Sequence, residues 1–133
     1  MKLLDTTFLI HYWGGKGPVR KYLEANEEEE FITTTINLKE IAVGRALQGK
    51  LDRAELESAF GWVEVVPIGM GAAINAAELE AELQRDTAVN GDRTNALAGD
   101  LLIAAVARDK NATVVTRNVS DFEQFDGVSV EQY

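Results

Sequence analysis

The stretch from Gly99 to Phe122 constrains what this chain can fold into more than any other. It opens on an acid, Asp100, and continues as Leu101-Leu102-Ile103-Ala104-Ala105-Val106-Ala107, apolar on nearly every helical face. A helix of that kind has to be covered on nearly every side, so the run predicts a core helix. A turn at Asp109-Lys110-Asn111 leads into Thr113-Val114-Val115, a short β-branched strand that ends in the polar cluster Thr116-Arg117-Asn118. Asp100 then stands at the mouth of the buried helix, where free N–H groups and the helix dipole favour an ionised carboxylate. A helix-capping role and a functional role both fit it there.

The bounds on function come from charge and length. A chain of 133 residues that is 46% hydrophobic fits one domain over residues 1–133, with a substantial core. No apolar run reaches the roughly 18 residues of a membrane span, and no secretory signal opens the chain. With no cysteine, disulfides, zinc–thiolate sites and thiol catalysis are excluded, and a cytoplasmic location is expected. The net charge of −9 argues against a non-specific nucleic-acid coat, whose affinity would rest on Lys and Arg. It is compatible with an acidic metal site, a basic protein partner or a high-salt cytoplasm.

Along the chain, strands alternate with helices. Met1-Lys2-Leu3-Leu4 reads as a buried strand, and Thr6 and Thr7 are suitable caps for a helix through Trp13. Gly14 to Pro18 is a loop; Gly17 follows Lys16, so the order is wrong for a phosphate-binding P-loop. A helix from Val19 to Ala25, a charged run Glu27–Glu30 and a strand Phe31–Thr35 follow. Asn37 is placed to cap a helix ending at Gly49, and Asp52 to start another through Phe60. Val63–Ile68 reads as a strand, Gly69–Gly71 as a turn, 72–87 as a long helix and 89–98 as a polar loop. Val128-Ser129-Val130 is a candidate fifth strand. Short apolar strands between helices predict an α/β fold: a central parallel sheet of four to five strands, covered on both faces.

In such sheets the ligand crevice lies beyond the carboxyl ends of the strands. That rule sorts the acids. Asp5 ends the first strand, Glu40 lies one turn into the helix after the second, Asp100 opens the helix before the fourth, and Asp121 follows the fourth with Asn118. Carboxylates brought that close repel unless a cation neutralises them. Oxygen ligands without cysteine, in a chain with one histidine, favour Mg²⁺ or Mn²⁺ over Zn²⁺.

On Leu3 to Ile10, Asn37 to Glu40, Asp100 to Ala105 and Val115 to Phe122, the chain resembles the PIN-domain family of metal-dependent ribonucleases, and within it the VapC-type toxins. The resemblance spans essentially the whole sequence. It implies a PIN-like three-layer α/β/α fold and Mg²⁺-dependent hydrolysis of RNA, with Mn²⁺ able to substitute. It carries the acidic positions onto Asp5, Glu40 and Asp100, with the fourth falling on Asp121 or Asn118. Thr7 departs from the family, which usually has Asn there. Thr6 and Thr116 are implied as hydroxyl contacts in the rim. A VapB-type antitoxin and a homodimer are the implied partners.

Lys39, Arg45, Arg93 and Arg117 are the basic residues nearest these motifs, with Arg117 embedded in one. His11, Tyr12 and Trp13 read as packing residues, and Tyr12, Trp13 and Trp62 as candidate interface aromatics. Rival folds fit less well. A response-regulator receiver needs an acidic pair where Asp5 stands alone, and a haloacid-dehalogenase-type phosphatase needs an acid where Thr7 stands. A catalytically silent PIN-like domain serving as a protein-interaction module is the non-enzymatic alternative.

Overall fold

The computed structural model describes residues 1–86 and 97–133. In chain order the elements are β1 (Lys2–Leu4), α1 (Thr6–Trp13), α2 (Gly17–Ala25), β2 (Phe31–Thr34), α3 (Thr35–Leu47), α4 (Arg53–Ala59) and β3 (Glu64–Val66). Then follow α5 (Met70–Arg85), α6 (Ala98–Lys110), β4 (Thr113–Thr116), α7 (Val119–Glu123) and β5 (Ser129–Gln132).

All five strands are parallel, in the order β3-β2-β1-β4-β5. The chain leaves β1 toward β2 and β3, then returns to lay β4 on the other side of β1. The switch point therefore lies between β1 and β4, where Leu4 pairs with Val115. Consecutive residues of these two strands point to opposite faces. Leu3 and Val114 enter a core formed with α5, α6 and α7, while Leu4 and Val115 enter one formed with α1 to α4. All four are fully buried, which is why short apolar runs with no polar alternation serve as strands here.

The expected core helix is α6. Leu101 and the unbroken run Ile103–Ala107 are buried. It ends at Asn111, whose φ of 54° is a left-handed cap that Asn tolerates. Helix α5 begins earlier than expected: Gly71 lies inside it rather than in a turn. A Cβ at Gly71 would meet Asp109 Oδ1 at 2.2 Å, so glycine there makes room for a carboxylate from α6 at the N-terminal turn of α5.

Other boundaries also differ from expectation. Asp5, not Thr6 or Thr7, caps α1, and Thr34 caps α3 with Asn37 three residues inside. The fifth strand lies at Ser129–Gln132, one residue later than Val128. Most of the loop expected at 89–98 falls outside the described residues, but Ala98 already belongs to α6. Among the described residues no helix is long and apolar enough to cross a membrane.

Candidate active site

The carboxyl ends of β1 and β2 hold a buried polar corner. Asp5 is only 5% exposed, and its Oδ1 accepts from the Phe8 N–H at 2.9 Å. The Thr116 hydroxyl, at the end of β4, also bonds to this carboxylate. Burial nonetheless raises the Asp5 pKa above its ordinary value; those two hydrogen bonds and His11 oppose the rise, and Glu40 adds to it.

Glu40 is fixed by a relay that starts in the cap of α3. The Asn37 N–H donates to Thr34 Oγ1 at 3.1 Å, and Asn37 Oδ1 accepts from the Thr34 hydroxyl at 2.7 Å. The Asn37 amide then donates to Thr6 Oγ1 at 3.0 Å, and the Thr6 hydroxyl donates to Glu40 Oε1 at 2.8 Å. The capping box of α3 and the first residue of α1 thus orient the Glu40 carboxylate. The first turn of α6 closes the corner, with Glu40 Oε2 3.8 Å from where a Cβ on Gly99 would stand.

Asp100 lies in that first turn, half-buried, while the N-cap position is Leu97 and makes no side-chain cap. Its pKa is pushed up to about 6, first by burial, then by the charges of Asp121, Glu40 and Asp5. Asp121 therefore acts on Asp100 from the first turn of α7, although it is itself exposed. Asn118, also exposed, precedes α7; its backbone N–H donates to Thr116 Oγ1 at 2.9 Å, and its side chain gives α7 no cap bond.

The family model for the PIN domain matches residues 2–128. The chain belongs to the PIN domain family. Solved structures similar to this PIN domain include VapBC2 from Rickettsia felis bound to a promoter DNA fragment. It is 21% identical with a TM-score of 0.78, over 99% of this chain and 98% of that one. DNA-bound VapBC from Salmonella typhimurium is 26% identical with a TM-score of 0.78, over 98% and 96% of the two chains. VapBC-1 from nontypeable Haemophilus influenzae is 18% identical with a TM-score of 0.76, over 98% and 96%. No curated relative matches in sequence. These neighbours carry the same fold, in line with the VapC-type resemblance of the motifs.

The PIN domain gathers Asp5, Glu40, Asp100 and Asp121 into one electrostatic neighbourhood rather than a closed coordination shell. Among the described residues no three acids or histidines are set to hold one ion as the side chains stand. The donor chemistry still fits a hard divalent cation: the groups are all carboxylates, and burial together with their mutual repulsion raises Asp100. Of the hydroxyls, Thr116 is fully buried and braces Asp5, and Thr6 is occupied with Glu40 and Asn37.

Of the basic residues, Arg45 is engaged by Glu55 at 2.9 Å and lies over the Trp13 ring at 4.6 Å. Lys39 is exposed, and Arg93 lies outside the described residues. Arg117 is exposed at the carboxyl end of β4. Tyr12 packs on Trp62 at 4.7 Å and Trp13 on Phe60 at 5.4 Å between ring centroids, so these aromatics mostly cover one another. Sequence reasoning missed Thr34 and the bracing role of Asn37. The three-residue spacing of a capping box was the available signal.

Proposed function

We propose that this PIN domain, a single unit over residues 1–133, is a Mg²⁺-dependent endoribonuclease. It acts as the toxin of a toxin–antitoxin pair, with Mn²⁺ able to substitute. The observation that carries the reading is Asp100: a half-buried carboxylate facing three other acids has its pKa pushed up to about 6, as a cation-binding cluster has without its cation.

Asp5, Glu40 and Asp100 would hold the ion, with Asp121 serving it from the rim. Bound there, a divalent cation supplies charge neutralisation at the phosphate and a water acidic enough to attack it. Phe8 and Thr116 restrain the Asp5 carboxylate. Glu40 is presented by the Thr34–Asn37–Thr6 relay, so its position is set before substrate arrives. Arg117 is the cation best placed to meet the RNA backbone. Asn118 lies on the same rim.

The pairing with a VapB-type antitoxin is supported by the similar structures, which are VapBC complexes. Self-association as a homodimer draws on exposed apolar side chains such as Leu47 and Met70. A cytoplasmic location follows from the same reading. The charge arrangement around Asp100 argues against the silent-module alternative, which has no use for it.

Purified protein should cleave RNA with Mg²⁺ or Mn²⁺ and leave 5′-phosphate ends, because a water rather than the RNA 2′-OH is the expected nucleophile. Cleavage undiminished in excess EDTA, or products ending in 2′,3′-cyclic phosphate, would overturn the proposal.

A further inference from the structure

Strands β4 and β5 run parallel with Thr116 paired to Gln132, so the next residues, Arg117 and Tyr133, leave the sheet together. They emerge at the carboxyl edge where Asp5 follows β1. The Tyr133 ring is anchored there. Phe8 meets it edge-on at 4.8 Å between centroids, and His11 Nδ1 lies 3.1 Å from its hydroxyl. Asp5 helps to push the Tyr133 hydroxyl pKa up to about 12, after burial and against Arg117, which places all three groups in one field.

The Arg117 guanidinium lies over this ring, 5.0 Å from its centroid. The contrast with other arginines is informative. Among the described residues Arg45, Arg53 and Arg108 are each paired with a glutamate, whereas Arg117, like Arg20 and Arg85, has no ion pair, and of those three it alone lies over an aromatic ring. A carboxylate neighbour would occupy the N–H donors of the guanidinium. An aromatic face instead holds the flat cation by its quadrupole and leaves those donors open to a phosphate. In a chain of net charge −9, a cation kept open at the carboxyl edge of the sheet is suited to an anionic strand.

We propose that Tyr133 is a positioning residue for the nuclease activity proposed above, holding Arg117 at the carboxyl edge of the sheet as the cation that grips the RNA phosphate backbone. Its test measures binding apart from cleavage: the anisotropy of a fluorescein-labelled single-stranded RNA of mixed sequence, titrated with the Asp100→Asn protein in Mg²⁺ at several salt concentrations. Adding Arg117→Ala should weaken binding about tenfold at low salt and flatten the logarithmic salt slope by about 0.7, as for one lost phosphate contact. Adding Tyr133→Ala should weaken it about three- to fivefold, while Tyr133→Trp, which keeps an aromatic platform, should retain it.

The decisive outcome is coupling. With Arg117 already replaced, removing the Tyr133 ring should change almost nothing. Losses that simply multiply, or a Tyr133→Ala protein that binds as its parent does, overturn the proposal and leave the nuclease reading standing. If Tyr133→Ala fails to fold, Tyr133→Leu keeps apolar packing on Phe8 and must show the same coupled loss. If neither the Asp100→Asn parent binds RNA nor the wild type cleaves it, the nuclease reading falls and takes this proposal with it.

Discussion

The two halves of the acidic rim are built differently. At β1 and β2, Thr6, Thr34, Asn37 and Glu40 are joined by hydrogen bonds of 2.7–3.1 Å, Asp5 accepts from the Phe8 N–H at 2.9 Å, and Asp5, Thr34 and Asn37 are buried. At β4, Arg117, Asn118 and Asp121 are all exposed, and Asp121 reaches the site through its charge on Asp100. In the first half, the groups that orient acids also terminate helices, so function and stability share atoms. In the second, the side chains stand exposed to substrate or ion. The rigid half sets geometry, and the exposed half tunes charge.

Substitutions can break this division. Asp100→Asn should lower RNA cleavage on the order of 10³-fold at any Mg²⁺ concentration, because it removes a group that meets the ion. Asp121→Asn should shift the Mg²⁺ requirement upward by about tenfold and recover as Mg²⁺ rises, as for a residue one step removed. Titrating cleavage rate against Mg²⁺ for both variants separates them. An Asp121→Asn curve matching wild type throughout would leave a three-acid site.

A smaller effect tests the relay. Thr6→Val removes both the donor to Glu40 and the acceptor for the Asn37 amide, leaving a buried polar group unpaired at a cost of about 1–3 kcal/mol. Denaturant unfolding should show that loss together with weaker cleavage, and Thr6→Ser should restore both. Wild-type stability in Thr6→Val would mean that the relay fixes nothing.

What the sequence disclosed follows the same division between local and remote causes. Leu3-Leu4, Val114-Val115 and the run through Ala107 were legible because each carries its burial in its own residues. The position of the acids followed from the parallel sheet. The cap of α1 was ambiguous because Asp5, Thr6 and Thr7 are all competent, and only the point where β1 leaves its pairing with β4 selects Asp5. Gly71 was misjudged because the carboxylate it accommodates comes from Asp109, far along the chain. Tyr133 carried no local signal at all; it reaches the rim through the register of β5 on β4.

Thermal unfolding with and without Mg²⁺, at pH 5 and pH 7, tests the central claim most directly: that these acids form a cation site. Folding raises the Asp100 pKa from 3.8 to about 6, so the folded state holds that proton more tightly. Its stabilising effect is present below the unfolded value and is lost as pH rises through about 6. In EDTA the wild type should therefore melt lower at pH 7 than at pH 5. Mg²⁺ at ten times its Kd should raise the pH 7 melting temperature by about 5 °C. Asp100→Asn should melt higher than wild type in EDTA at pH 7 and gain much less from Mg²⁺. A wild-type melting temperature that is flat between the two pH values and unmoved by Mg²⁺ would contradict the account.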